Sequence, residues 1–236
     1  MKEPEVQHEI EINEHRLFLD LSSACSGYAV ARIKKGKTQF LQDATCEIVR
    51  AGAIWFPSSW TNDQKYYYMY RLVCEDFYVT SAVNDVIYER YSFNSNQAQG
   101  SLVVPEMIGA IKVAAHDVDA MPLGVEDITP QTWRKQVGIK AIKTPQFDKD
   151  GKPVLTKSGK QKMSQDWKTP CVNHFKEMFG DKIPDQIISN ATGKLRNTPH
   201  DTFDALGVCV GWHKRLGVKK FDIRKNAFNI QVMMDL

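Results

Sequence analysis

Four acidic residues of this sequence have neighbours that suggest metal-ion chemistry. Asp20 ends a short apolar run, and Glu89 lies near the end of another. Asp201 and Asp204 stand three residues apart at the start of a helical pattern, so their carboxylates share one helix face. Adjacent carboxylates repel one another unless a cation lies between them. Magnesium or manganese ions accept carboxylate oxygens, and a pair of them about 4 Å apart catalyses phosphodiester hydrolysis.

Three of these acids, Asp20, Asp201 and Asp204, also have a purely structural interpretation. Asp20 would then accept hydrogen bonds from the amides of the Ser/Gly-rich turn that follows it. The pair at the start of the last helix would offset the helix dipole, which is worth about 0.3–1 kcal/mol for each acid. That explanation suffices for Asp201. It leaves Asp20 and Glu89 on apolar strands, where an unpaired buried carboxylate costs roughly several kcal/mol.

Hydrophobic periodicity indicates the elements that must position the acids. Three apolar strands come first, and Gly27 supplies the backbone freedom that a tight hairpin between the first two needs. Strands and helices then alternate, which predicts an α/β fold with a mixed sheet and helices on its faces. The predicted strands are 17–20, 28–31, 47–56, 83–91 and 121–125, and the predicted helices are 62–82, 97–119, from 128, 165–179 and from 199.

The sequence divides into one domain with two tails and an insertion. Residues 1–15 are acidic and read as a tail or an added edge strand, residues 16–217 form the domain, and residues 218–236 read as a C-terminal tail. Residues 141–165 hold turn signals and almost no core residues, which indicates an inserted hairpin or mobile loop. Between residues 134 and 168, ten lysines and arginines face three aspartates, a local excess of seven positive charges.

Composition limits the classes of protein to consider. The 236 residues, 42% of them hydrophobic, can bury one large core. The five cysteines are scattered singly, which argues against a disulfide framework or a zinc knuckle and favours the reducing cytoplasm. No apolar run approaches the roughly 18 residues of a membrane span, so no membrane association is expected. The net charge of +3 is too small to establish a nucleic-acid partner.

Five pieces of the sequence resemble, in the same order, the RuvC family of Holliday-junction resolvases, within the ribonuclease H and retroviral-integrase superfamily. They cover most of the span from Arg16 to Arg215. The longer insertion is similar to variation among phage members of the family, whose proteins would act in the host cytoplasm. The pieces are Leu19-Asp-Leu-Ser-Ser-Ala-Cys-Ser-Gly-Tyr-Ala-Val, Val86-Ile-Tyr-Glu-Arg-Tyr, Asn96-Gln-Ala-Gln-Gly, Thr129-Pro-Gln-Thr-Trp-Arg-Lys-Gln-Val-Gly and Asp201-Thr-Phe-Asp-Ala-Leu.

The resemblance implies a fold, a metal site and a set of DNA contacts. The fold would be a ribonuclease H-like five-stranded mixed sheet, three antiparallel strands followed by parallel ones, with helices on both faces. The metal ligands, for two Mg²⁺ or Mn²⁺ ions, would be Asp20, Glu89, Asp201 and Asp204. The lysine that contacts the scissile phosphate would be Lys168, and His200 would not be a ligand. The remaining DNA contacts would come from Phe93 or Tyr91, which probe the junction centre, and from Arg134, Lys135, Lys140 and Lys143.

The implied activity is paired cleavage of four-way DNA junctions by a homodimer. The small-residue helix from Gln97 to Ala115 is a candidate dimer interface, and burial inside the monomer is the competing interpretation. Two departures from the family pattern, the insertion and Gln99 in place of an arginine, leave strict junction selectivity open.

Other functions share some of these features. A nuclease acting on forks or flaps would use the same acids, and a clamp that binds branched DNA without cutting it would use the same basic segment. Actin-like sugar kinases and ATPases also begin with a strand, an Asp and a Ser/Gly turn. They need a second phosphate-binding half, for which this chain has neither the length nor a second such turn.

Overall fold

A computed structural model describes residues 14–34, 36, 40–91, 102–118 and 123–228 of the chain. Six strands form one mixed sheet: β1 (His15–Asp20), β2 (Cys25–Lys34), β3 (Thr45–Trp55), β4 (Val83–Glu89), β5 (Gly124–Ile128) and β10 (Lys220–Ile223). They lie in the order β10-β3-β2-β1-β4-β5, and helices pack on both faces of the sheet. The helices are α1 (Asn62–Arg71), α2 (Tyr78–Ser81), α3 (Val103–Asp117), α4 (Pro130–Val137), α5 (Lys168–Phe179) and α6 (His200–Arg215).

The sheet confirms the predicted order of antiparallel and then parallel strands. β1, β2 and β3 pair antiparallel, and Asp20 at the end of β1 lies opposite Gly27 on β2. β4 pairs parallel with β1, and β5 pairs parallel with β4. The carboxyl ends of β1, β4 and β5 therefore meet at one edge of the sheet.

A sixth strand, β10, extends the five-stranded sheet that was expected. It lies within residues 218–236, the segment predicted to be a tail, and pairs parallel with β3. Ile223 and Ala227 are buried, and the Ala227 carbonyl accepts a hydrogen bond from the Ala51 amide at 2.9 Å. A strand of four residues with two charged members carries too little periodicity to be recognised in the sequence. The expected edge strand or tail at residues 1–15 falls mostly outside the described residues.

Alternating side chains of β1 enter two separate cores, because successive strand residues point to opposite faces. Leu17 and Leu19 pack with α1 and α3, whereas Phe18 packs with α4, α5 and α6. All three are completely buried. Each such side chain stabilises the fold by about 1.5–3 kcal/mol, so the helices on both faces are held firmly against the sheet.

The helix predicted over residues 62–82 is interrupted by a π-helical segment. Thr61 and Gln64 form a capping box at its start, and the π-helical segment Leu72–Phe77 separates α1 from α2. The Arg50 side chain on β3 donates two hydrogen bonds of 2.9 Å to Asp76 within that segment. Both partners are buried, so this ion pair fastens the segment to the sheet.

The other predicted elements are present with shifted ends. α3 begins at Val103, and residues 97–101 of the predicted helix lie outside the described residues. β5 spans Gly124–Ile128 rather than residues 121–125, in register with β4. Thr129 caps α4 as predicted: its hydroxyl accepts a hydrogen bond from the Thr132 amide at 3.2 Å.

Two small hairpins complete the described part of the chain. β6 (Ile142–Pro145) and β7 (Met163–Asp166) pair antiparallel at the base of the predicted insertion. β8 (Gln186–Ile188) and β9 (Leu195–Asn197) form a second hairpin just before α6. Within the described residues, no helix combines the length and apolar character that a membrane crossing requires.

Candidate active site

The predicted acids lie where the parallel strands end. Asp20 is the last residue of β1 and Glu89 is the last residue of β4. The parallel register pairs Leu19 with Tyr88, so the two acids that follow are level with each other. α6 begins at the same edge and contributes Asp201 and Asp204 from its first two turns. Asp201 is buried, and the other three acids are half-buried.

Gly27 allows α6 to begin directly on the sheet. A Cβ atom at this position would lie 1.8 Å from the Asp201 carbonyl oxygen. The Thr202 hydroxyl also donates a 3.2 Å hydrogen bond to the Gly52 carbonyl, which holds the helix start against β3. The prediction that Gly27 serves a turn is wrong, because it lies inside β2 without a positive φ. Its role is to let Asp201 approach Asp20.

Trp133 of α4 positions Glu89. Its Nε1–H donates a hydrogen bond of 2.5 Å to the Glu89 carboxylate. The ring is completely buried against α6, where a Cβ added at Gly207 or Gly211 would come within 2.4 or 2.6 Å of Trp133 atoms. The two glycines, four residues apart, thus make the groove that receives this tryptophan.

The two acids of α6 also have neighbours that hold them. The Cys171 thiol on α5 lies 3.3 Å from Asp204 Oδ1 and donates to it. His200 Nε2 lies 3.5 Å from Asp201 Oδ1. With Trp133 on Glu89, three of the four acids have a partner outside the set.

Burial and neighbouring charges both change the pKa of the four acids. Burial raises the pKa of Asp20 well above its ordinary value, and the carboxylates of Glu89, Asp204 and Asp201 raise it further. Burial is also the main cause of the raised pKa of Glu89, Asp201 and Asp204. Negative charge is therefore costly at this edge of the sheet.

One arginine lies within reach of this negative charge. The positive charge of Arg134 opposes the rise in the pKa of Asp20, Glu89 and Asp204. Its guanidinium is held over two indole rings, 5.0 Å from the Trp133 centroid and 4.9 Å from the Trp167 centroid. Its Nε atom is buried and has no hydrogen-bond partner among the described residues.

The donor set fits hard divalent cations. All four side chains offer oxygen, and among the described residues none of them forms an ion pair with a lysine or arginine. In the described ranges, the only three ligand-type side chains whose ligand atoms all lie within 4.8 Å of one another are Cys46, Cys209 and His213, away from these acids. No three of the four acids therefore have ligand oxygens that all lie within 4.8 Å of one another.

The group elsewhere consists of Cys46, Cys209 and His213, all completely buried. Both sulfurs lie close to His213 Nδ1, at 3.4 Å from Cys46 and 3.7 Å from Cys209. The Cys209 carbonyl oxygen, 2.8 Å from Nδ1, can only accept a hydrogen bond, so Nδ1 carries a proton and cannot bind a metal. These side chains belong to the core between α6 and the sheet.

The basic residues predicted to contact DNA occupy different positions around the acids. Lys168 is the exposed first residue of α5, and its charge opposes the rise in the pKa of Asp201. Lys135, Lys140 and Lys143 are exposed on α4, on the connection after it and on β6. Arg134 is half-buried, and its charge acts on Asp20, Glu89 and Asp204; its contact with the DNA backbone stays a prediction.

Of the two aromatic residues predicted to probe the junction centre, Tyr91 is half-buried two residues after β4. Phe93 lies outside the described residues.

Sequence reasoning gave no role to Trp133, Cys171 or the close approach at Gly27. Gly207 and Gly211 were a usable signal, since two glycines four residues apart in a helix indicate a bulky neighbour on that face. The identity of that neighbour depends on tertiary contacts that no local pattern reveals.

The fold and the site together define an α/β protein of the ribonuclease H-like type, with acids at the ends of its first and fourth strands. Comparison of the sequence with protein-family models and with curated proteins gives no match. Comparison of the structure with solved structures does give matches, and these show the RuvC-like fold in this chain.

Three of these solved structures illustrate the likeness. The RuvC structure from Thermus thermophilus has a TM-score of 0.51 and 14% identity, over 87% of this chain and 98% of that one. T. thermophilus RuvC in complex with a Holliday junction substrate has a TM-score of 0.52 and 12% identity, with the same coverage of 87% and 98%. The yeast mitochondrial Holliday junction resolvase Ydc2 has a TM-score of 0.53 and 11% identity, over 89% of this chain and 81% of that one.

Proposed function

We propose that this protein is a metal-dependent, structure-specific endodeoxyribonuclease that resolves four-way DNA junctions by paired phosphodiester hydrolysis. The observation that carries the proposal is the convergence of Asp20, Glu89, Asp201 and Asp204 at one edge of a RuvC-like sheet. One of the solved structures with this fold is bound to a Holliday junction substrate. Another is the yeast mitochondrial Holliday junction resolvase Ydc2.

In the proposed mechanism the four acids hold two Mg²⁺ or Mn²⁺ ions. When bound, these ions would activate the attacking water and stabilise the leaving oxygen. Trp133 keeps the Glu89 carboxylate in one orientation, and Cys171 does the same for Asp204. Lys168, an exposed residue whose charge acts on Asp201, would contact the scissile phosphate.

Paired cleavage requires two active sites. A four-way junction has two-fold symmetry, and a symmetric homodimer presents two identical sites to it. Binding should weaken steeply as salt rises, since each neutralised phosphate of duplex DNA adds about 0.9 to the slope of log affinity against log salt.

Cleavage of a panel of DNA substrates tests the proposal. The protein is stripped with EDTA and then assayed with and without Mg²⁺ on a four-way junction, a fork, a flap and a linear duplex. Asp20→Asn should lower the cleavage rate by more than about 100-fold. The loss of a residue that only orients a metal ligand typically costs about 10- to 100-fold, so a larger loss indicates a direct ligand. Junction binding in EDTA should stay nearly unchanged. Asp181→Asn, at an exposed acid after α5, is the matched control and should cleave normally.

The outcomes separate the alternatives. Cleavage of forks and flaps at the same rate as junctions would replace junction resolution by a broader branched-DNA nuclease. Binding without Mg²⁺-dependent cleavage of any substrate would leave a non-cleaving junction clamp and refute the enzyme.

A further inference from the structure

The basic insertion contains a short motif that occurs twice. Phe147-Asp-Lys-Asp-Gly-Lys-Pro is followed, eight residues on, by Leu155-Thr-Lys-Ser-Gly-Lys-Gln. Each copy has a large apolar residue, a short hydrogen-bond acceptor, a lysine, another short polar residue, a glycine and a second lysine. This repetition has no counterpart elsewhere in the sequence and plays no part in the metal site.

The two copies adopt the same turn. In the first, the Asp148 amide donates to the Lys152 carbonyl at 2.9 Å, and Gly151 has a φ of 75°. In the second, the Thr156 amide donates to the Lys160 carbonyl at 2.7 Å, and Gly159 has a φ of 77°.

A side-chain oxygen supports each turn in the same way. Asp148 Oδ1 accepts from the Lys152 amide at 2.8 Å, and Thr156 Oγ1 accepts from the Lys160 amide at 3.2 Å. Isolated strand bridges also close both turns, between Phe147 and Pro153 and between Leu155 and Gln161. The insertion therefore ends in two equivalent tips.

Backbone hydrogen bonds join both tips to one stem. The Gln146 amide donates to the Lys162 carbonyl at 2.9 Å, the Val154 amide to the Gln146 carbonyl at 2.9 Å, and the Lys162 amide to the Val154 carbonyl at 2.7 Å. The stem continues into the pair β6 and β7. We call residues 142–166 the two-tipped arm.

The tips display apolar and positive groups side by side. Phe147 is 57% exposed and Leu155 is 58% exposed, so each tip presents one large apolar side chain to solvent. The lysines of the tips, Lys149, Lys152, Lys157 and Lys160, are all exposed, and none pairs with an acid among the described residues. Unpaired lysines beside exposed apolar side chains suit a nucleic acid, which offers phosphates to the former and base faces to the latter.

The base of the arm adjoins the acids. Asp166 Oδ1 accepts hydrogen bonds from the amides of Lys168 and Thr169, at 2.9 and 3.2 Å, and so joins β7 to the start of α5. Trp167, between them, lies under the Arg134 guanidinium that faces the acids. The arm is therefore anchored next to Lys168, whose charge acts on Asp201.

We propose that the two-tipped arm binds branched DNA through both tips at once. The lysine pair of each tip contacts a separate stretch of phosphate backbone, and Phe147 and Leu155 pack against bases that are unpaired or unstacked near the branch point. The nature of the substrate rests on the function proposed above. The arm itself is tested by binding alone.

The test measures binding to a fluorescent four-way junction in EDTA, as a function of salt. The variants are Lys149→Ala with Lys152→Ala, Lys157→Ala with Lys160→Ala, and all four together. Each pair should lower the slope of log affinity against log salt by up to about 1.8, and the four by about twice that. Lys219→Ala with Lys220→Ala, on exposed lysines at the far edge of the sheet, is the matched control and should leave the slope unchanged.

The apolar side chains are tested by comparing substrates. Phe147→Ala should weaken binding of the junction by about 5-fold or more, the range for losing contact with one base, and should affect a fully paired linear duplex less. Circular dichroism and thermal unfolding should match the parent protein, since the tips pack on neither core cluster of the described residues.

Opposite results have distinct meanings. A quadruple lysine variant with the parent slope and affinity would overturn the arm proposal, and Mg²⁺-dependent cleavage by the parent protein would still support the nuclease. If only one of the two lysine-pair variants bound the junction more weakly, the proposal that both tips bind at once would be overturned. Weakened binding by both tips together with no cleavage by the parent would support the arm and refute the nuclease.

Discussion

Trp133 links the packing of two helices to the orientation of one carboxylate. Its ring fills the groove that Gly207 and Gly211 leave on α6, and its Nε1–H points at Glu89. The hydrogen bond lowers the pKa of Glu89 against the effect of burial. A residue of the core therefore helps to keep a proposed metal ligand ionised and in place.

Replacing this tryptophan should impair the site more than the fold. We expect Trp133→Phe to lower the cleavage rate by about 10- to 100-fold and to raise the Mg²⁺ concentration needed for half-maximal rate. The matched control is Trp212→Phe, which removes a 3.3 Å hydrogen bond to Glu126 away from the acids. If both variants lost the same activity, Trp133 would have only a packing role.

The acids themselves should destabilise the protein when no metal is bound. Burial and mutual repulsion raise the pKa of Asp20, so its ionised form at pH 8 is unfavourable in the folded state. We expect Asp20→Asn to stabilise the EDTA-treated protein by about 1–2 kcal/mol, or about 2–8 °C in Tm.

Thermal unfolding with and without Mg²⁺ measures this effect. Mg²⁺ should raise the Tm of the parent protein and raise that of Asp20→Asn much less, since a ligand that binds only the folded state stabilises it. If Asp20→Asn were less stable than the parent protein in EDTA, the proposed destabilisation by buried, mutually repelling carboxylates would be contradicted.

At the level of residues, one local pattern was enough to single out two of the acids, and their role as metal ligands stays a prediction. Asp20 and Glu89 stood out because carboxylates are rare at the ends of apolar strands, and the structure brings them together with the α6 pair. Arg134 was assigned to the DNA backbone, and its place beside the acids follows from stacking on Trp133 and Trp167. The contact with Trp167 joins separate segments of the chain, so it cannot be predicted from the local sequence.

The position of α6 depends on a contact between helix and sheet that leaves no room for a side chain. Its first turn lies against Gly27, and Thr202 binds the Gly52 carbonyl beside it. Both acids of α6 are therefore placed by the sheet and not by a flexible loop.

Adding one methyl group at this contact should displace the helix. Gly27→Ala would place a Cβ atom 1.8 Å from backbone oxygen, and we expect a loss of about 2–4 kcal/mol in the free energy of unfolding, with loss of cleavage. Gly52→Ala is the control: the atoms nearest to its Cβ would be those of the Tyr28 side chain, at 3.0 Å and beyond, and the substitution should cost about 1 kcal/mol. Urea unfolding measures the free energy of unfolding of both variants. If Gly27→Ala and Gly52→Ala lost the same free energy, the proposed contact between Gly27 and α6 would be contradicted.

Charged residues join β2 and β3 near the edge where β10 is added. The buried Glu47 carboxylate accepts hydrogen bonds from Arg32, at 2.9 Å, and from Lys34, and Arg224 lies 3.4 Å away. Burial alone would raise the pKa of Glu47, but these cations lower it below its ordinary value.

The lowered pKa of Glu47 gives the stability a defined dependence on pH. A carboxyl with a lower pKa in the folded state adds stability above its unfolded pKa of about 4.3, and that stability is lost as pH falls through the folded pKa. We expect Glu47→Gln to cost about 1–3 kcal/mol at pH 7 and much less near pH 3.

An exposed ion pair provides the comparison for Glu47. Asp222→Asn removes the partner of Lys182, with both side chains about half exposed. It should change the free energy of unfolding by less than about 1 kcal/mol at either pH. A cost of Glu47→Gln that does not vary with pH would contradict the role assigned to its charge.

Elements were predictable where their apolar pattern was long. The first three strands and α6 have buried runs that any core would require. β10 was missed because its four residues alternate between charged and apolar, and because its place depends on the edge that β3 leaves open. The π-helical segment was missed because the Arg50–Asp76 pair that accompanies it is a tertiary contact.

The molecule as a whole must present two sites if it cuts a junction on both sides. α3 is a candidate interface between two copies, and Val113 on its outer face is 54% exposed. A symmetric interface contains this residue once from each copy, so one substitution changes the interface at two places.

Disrupting this face should separate binding from paired cleavage. We expect Val113→Lys to shift the protein towards monomers in sedimentation velocity and to convert paired cuts into single nicks on a junction carried in a supercoiled plasmid. Lys112→Ala, at the neighbouring exposed position, is the control and should remain dimeric. A monomeric parent protein that still makes paired cuts would contradict the dimer.

The stem of the two-tipped arm determines how easily the rest of the arm can be replaced. Ile142 and Asp166 pair directly, so the polypeptide leaves and re-enters the domain at neighbouring points. Everything beyond Pro145 and Met163 can therefore be exchanged for a short hairpin, at a closure cost that rises only by about 0.6 kcal/mol for each doubling of loop length. The domain with the proposed active site and the arm proposed to bind DNA are thus structurally separable, and a graft of other tips onto the same stem should change which shapes of nucleic acid the protein binds.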